Sequence, residues 1–96
     1  MEGTALWLFD APPNVACLTV RSILDGHKPI LAVVRDFEDG AWSFLTSEDI
    51  EMADALLVSL KSIVELDPSI IDLADLQPGW TAVRSNRDMP WQRAIK

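Results

Sequence analysis

The feature that most limits what this chain can fold into is a pair of short apolar runs on either side of an acidic turn. Residues 30–35 read Ile-Leu-Ala-Val-Val-Arg and residues 41–46 read Ala-Trp-Ser-Phe-Leu-Thr. Between them stands Asp36-Phe37-Glu38-Asp39-Gly40, whose Asp-Gly ending is a frequent signal between paired strands. The first run, opened by Pro29, is apolar on both faces, as expected of a strand covered on both sides. The second alternates, with Trp42 and Phe44 on one face and Ser43 and Leu45 on the other. A β-hairpin over 30–35 and 41–46 is the frame on which the other elements must be arranged.

The flanking segments are short. Residues 4–9 form an apolar run, read as a strand or an arm laid on the core, and two prolines in 10–14 break it. Residues 15–20 read as a buried strand, and 21–24 as one helical turn closed by Asp25-Gly26. Thr46, followed by Asp49 three residues on, has the form of a helix start. Ala53, Leu56, Leu57, Leu60, Ile63 and Val64 fall at helical spacing, which fits a helix over 49–66; the rival reading is a strand at 56–60 followed by a helix. Asp67-Pro68 starts a helix over 69–76, with Ile70, Ile71, Leu73 and Ala74 toward the core. Pro78-Gly79 ends it, and 80–84 form a last strand. The tail, 85–96, is polar and basic apart from Met89-Pro90-Trp91, and reads as a flexible extension. Strands and helices intermixed in 96 residues predict one α+β domain. Its sheet is expected to be small, mixed and mostly antiparallel, with the hairpin at its centre and two or three short helices packed on it.

Charge sets limits on function. Eight basic against fifteen acidic residues leave a net charge of −7, which argues against a nucleic-acid binder or adsorption to anionic lipid. One cysteine, Cys17, leaves no internal disulfide and no cysteine cage for zinc. Cys17 and His27 could be proposed as nucleophile and base, but a thiol amid Val15, Ala16 and Leu18 reads more simply as core. No glycine-rich phosphate loop occurs, and neither an export signal nor a long apolar stretch is evident, so the cytoplasm is the expected compartment. No enzyme activity and no cofactor are expected.

Two features point to a partner. Eleven acids (36, 38, 39, 48, 49, 51, 54, 65, 67, 72 and 75) share the middle of the chain with a single base, Lys61, whereas 84–96 carry four bases and one acid. Asp36, Glu38 and Asp39 with Glu48, Asp49 and Glu51 could hold a calcium or magnesium ion. The plainer reading is a solvated loop followed by a helix start that favours acids. The sharper reading is an acidic face steering a basic protein partner. Four tryptophans are many for this length. Trp42 and Trp80 read as core, while Trp7 and Trp91 are either interface anchors or rings folded onto the body.

Taken together, Val33-Val34-Arg35-Asp36-Phe37, Asp39-Gly40-Ala41-Trp42-Ser43-Phe44-Leu45, Ser47-Glu48-Asp49, Leu66-Asp67-Pro68-Ser69-Ile70 and Gly79-Trp80-Thr81-Ala82-Val83-Arg84 resemble a family of small bacterial domains. That family is the domain of unknown function 2185, grouped with the immunity protein 33 family. The resemblance spans about residues 17–84. It implies a binding protein that neutralises a partner, such as a toxin, by tight association. It also implies a strand at 56–60 followed by a helix through Leu66. The residues expected to meet the partner are Asp36, Glu38, Asp39, Glu48, Asp49, Glu51 and Trp91. The rival expectation is a housekeeping or regulatory domain acting as a homodimer through an exposed Trp or the hairpin edge.

Overall fold

A computed structural model describes residues 7–46 and 54–95. The helix start expected at 46–49 therefore falls largely outside the described residues, as do Glu48, Asp49 and Glu51. The described residues form an α+β domain in the order β1 (Ala16–Val20), α1 (Arg21–Leu24), β2 (Ala32–Arg35), β3 (Trp42–Leu45), β4 (Ala55–Ser59), α2 (Leu60–Leu66), a 3₁₀ helix (Pro68–Leu73), β5 (Trp80–Val83) and β6 (Gln92–Ile95). Among them no helix is long and apolar enough to cross a membrane.

The strands make one six-stranded sheet in the order β4-β1-β3-β2-β5-β6. The expected hairpin forms its middle, pairing Val33 with Phe44 and Arg35 with Trp42. β1 runs parallel to β3, with Leu18 opposite Ser43, and every other neighbouring pair is antiparallel. Side chains alternate across a strand, so cross-strand partners share a face. One face carries Cys17, Thr19, Val33, Phe44 and Ala82, all at most 2% exposed. The other carries Leu18, Val34, Ser43 and Thr81, all half-buried. The helical layer therefore lies on the first face, and the core is there.

Local chemistry accounts for the helical pieces. Asp67 caps the 3₁₀ helix, its Oδ1 accepting from the Ser69 N–H at 3.1 Å, and Pro68 supplies a ready-set first helical residue. This segment is the expected helix in tighter form, and it ends at Leu73 in place of 76; Ile70 and Leu73 are buried. Ser59 ends β4 and caps α2, accepting from the Ser62 N–H at 3.1 Å. The strand reading of 56–60 is the one the fold adopts, one residue earlier, at Ala55–Ser59. A long helix over 49–66 would have left β1 without its antiparallel neighbour.

Of the two readings of 4–9, a strand or an arm laid on the core, the described residues take the arm, whereas the tail, expected as a flexible extension, carries a strand. Residues 7–11 run as an arm without strand pairing; Phe9 is buried with its ring edge-on to Trp42, centroids 5.4 Å apart. Within the tail, Gln92–Ile95 form β6, paired in register with β5 from Trp80↔Ile95 to Val83↔Gln92.

Candidate functional site

The acidic turn between β2 and β3 is built from its own side chains. Asp36 Oδ1 accepts from the Glu38 N–H at 2.7 Å, and Asp39 Oδ1 accepts from the Ala41 N–H at 2.9 Å. The Asp36 N–H donates to Ala41 O at 2.8 Å, and the Gly40 N–H returns to Asp36 O at 3.1 Å. Gly40 has φ +69°, a left-handed conformation that glycine adopts without steric cost. These are turn-forming uses of Asp and Gly. They give Asp36 and Asp39 structural duties, whereas the Glu38 carboxylate makes no hydrogen bond or ion pair among the described residues.

Arg35 fixes the turn from below. Its Nε donates to Gly40 O at 3.2 Å and its Nη1 to Leu76 O at 2.7 Å. Nη2 pairs with Asp10 at 2.9 Å, and the guanidinium stacks 4.9 Å from the Trp42 ring centroid. Arg35 is thus a nearly buried cation whose five donors are largely spent on carbonyls and one carboxylate. The backbone on the other side is tied as well, since the Gly79 N–H donates to Arg35 O at 2.8 Å.

Phe37 projects from this rigid turn. Its side chain is 80% exposed. It rests on Gly79, where a Cβ would stand only 3.2 Å from Phe37 Cδ1. Asp36, Phe37, Glu38, Pro78, Gly79, Trp80 and Ile95 line a cleft of about 440 Å³. Ile95, at the end of β6, is 73% exposed. Three elements distant in sequence thus place an apolar floor beside two carboxylates.

Of the residues expected to meet a partner, the structure gathers Asp36, Glu38 and Asp39, all exposed, on this turn. Trp91 is elsewhere. It is half-buried against the core, with its ring over Arg84 at 4.1 Å from the guanidinium carbon. Trp7 is also half-buried, its Nε1 donating to Ala11 O. The most exposed aromatic is Phe37, which the sequence reading passed over. Its signal was present: a single large apolar residue among the acids of a turn has no core to face.

The remaining chemistry is structural. Cys17 donates its thiol to Val58 O at 3.4 Å, and burial pushes its pKa up to about 11, the wrong direction for a nucleophile. His27 is exposed in the turn after α1, whereas Cys17 is in the core. Among the described residues, no three His, Cys, Asp or Glu side chains converge as a metal site would require. A second groove, of about 340 Å³, lies between Asp10, Val15, Arg35 and Trp42, but the Arg35 charge there is already met by Asp10.

Comparison of the chain with models of known protein families, with curated proteins and with solved structures finds no match.

Proposed function

We propose that this chain is a small non-enzymatic binding domain that neutralises or regulates a partner protein in the cytoplasm, in the manner of the immunity proteins its sequence resembles. The observation that carries the reading is the acidic turn with Phe37 at its tip. Interface anchors are typically aromatic residues ringed by polar ones. Phe37 has that setting, and the turn that bears it is pre-ordered, so little freedom is lost on association. The net charge of −7 adds attraction toward a basic partner and quickens the encounter.

The test is capture from lysate of the source cells, followed by association kinetics on the captured protein. Phe37→Ala should weaken the complex mainly by faster dissociation. Glu38→Lys should slow association at low salt, with the difference shrinking at high salt. Identical partners and rates for wild type and both variants would refute the reading.

A second reading, a homodimeric regulatory domain, has one observation in its favour: β6 lies at the sheet edge with all four residues exposed. A sedimentation mass independent of concentration and equal to one chain would exclude it.

A further inference from the structure

We infer that the cleft between the hairpin turn and the end of β6 takes an arginine side chain presented by the partner. The inference rests on the binding reading above and names the chemistry of its contact. The floor of the cleft is apolar and comes from three separate segments: Phe37 on the turn, Pro78 and Trp80 before and at the start of β5, and Ile95 on β6. Phe37 and Ile95, the two most exposed large apolar side chains among the described residues, both line it, as expected of a contact surface. Its rim carries Asp36 and Glu38, and among the described residues no basic one lines it. Asp36 Oδ1 is occupied by the turn, but Glu38 has no described partner.

That combination selects the occupant. A purely aliphatic side chain would fill the floor and leave the Glu38 carboxylate partly desolvated without a partner. An acidic side chain would be repelled by both carboxylates. A long cationic side chain satisfies both parts, laying its methylenes along Ile95 and Phe37 and carrying its charge to the rim. Arginine suits the site better than lysine because its planar head can stack on an aromatic ring while donating to a carboxylate. The cleft is also set before binding. Phe37 is seated on Gly79, and the Gly79 N–H is tied to Arg35 O at 2.8 Å.

The experiment is an NMR titration of the full chain with N-acetyl-arginine amide. N-acetyl-citrulline amide serves as the neutral isostere, and N-acetyl-glutamate amide as the opposite charge. Saturable shifts are expected at the Trp80 indole and at the amides of Phe37, Glu38, Gly79 and Ile95. The citrulline compound should bind roughly tenfold more weakly. Glu38→Gln, which removes charge from an exposed side chain without a structural bond, should weaken arginine several-fold and leave the spectrum otherwise unchanged. Equal binding of the arginine and citrulline compounds, or shifts centred away from the cleft, would overturn the inference. If a partner is captured through Glu38 while arginine amide does not saturate the cleft, the inference fails and the binding reading stands. Saturation by arginine amide with no captured partner upholds the cleft chemistry and counts against the binding reading alone.

Discussion

Cys17 shows at the scale of one residue how position overrides chemical potential. A free thiol suggests reactivity, yet this one is 2% exposed in β1 and donates to a carbonyl of β4. Burial disfavours the thiolate, so its pKa rises from 9.0 to about 11. A raised folded-state pKa gives stability that is complete below the unfolded value and lost as pH climbs through the folded one. Stability should therefore decline from about pH 9 toward pH 11, by on the order of 2 kcal/mol from this group. Urea unfolding across that range, compared with Cys17→Ala, isolates the effect; parallel curves would show that Cys17 does not contribute it. Thr19 makes a related point. It is fully buried, and its hydroxyl donates to Phe44 O at 2.9 Å across the parallel β1–β3 pair. Nothing local to residues 15–20 distinguishes this threonine from a solvent-facing one.

Among the elements, the stretch 55–66 is the most instructive. Its apolar spacing suits a helix throughout, but the chain divides it between β4 and α2 at Ser59. Two things place the division. Ala55–Ser59 answers β1 in register from Val20↔Ala55 to Ala16↔Ser59, a demand made by a strand some forty residues away. Ser59 then offers the cap that starts α2, and the Leu60 N–H is taken by Val15 O at 2.9 Å. Ser59→Ala should cost about 1 kcal/mol, lowering the melting temperature by roughly 4–8 °C. An unchanged melting temperature would mean that strand pairing alone sets the switch. The hairpin needed no such arbitration. Its alternation of Trp42 and Phe44, and its Asp-Gly turn, carry their structure locally, and the rings stack 6.0 Å apart as the alternation implies. The strand β6 had no local signal, because Gln-Arg-Ala-Ile lacks both β-branched density and a covered face.

Across the whole molecule, folding rearranges the charge that the chain lays out in order. The acidic middle and basic end are drawn together: Arg84 pairs with Asp67, and Arg93 with Asp75. The hydrogen bond from Arg93, then its charge, hold the Asp75 carboxyl below its usual range. Arg84 is the larger tie. Its Nε donates to Ile30 O at 3.0 Å, Nη1 to Ser69 Oγ at 3.0 Å and to Arg87 O, and Nη2 to Asp67 at 2.9 Å, with Trp91 stacked above. One guanidinium so joins the approach to β2, the 3₁₀ helix and the tail. Lysine cannot reproduce that fork, so Arg84→Lys should destabilise by about 2–4 kcal/mol in chemical unfolding and red-shift tryptophan emission as Trp91 loosens. A loss under about 0.5 kcal/mol would mean that the buried network is replaceable by any cation. Asp67 and Asp75 are drawn into pairs, while Asp36, Glu38 and Asp39 of the turn stay exposed beside Phe37, and there the candidate site lies.

The sequence alone determined the hairpin, the α+β class, the Asp67-Pro68 helix start and the acidic turn. Each depends on residues adjacent along the chain, where turn chemistry and side-chain period act directly. Only the tertiary structure decided that 55–59 is a strand, that the tail closes the sheet with β6, that Trp91 lies on Arg84, and that Phe37 meets Trp80 and Ile95 in one cleft. These outcomes turn on partners far away in sequence, whose hydrogen-bonding and burial demands no local pattern records.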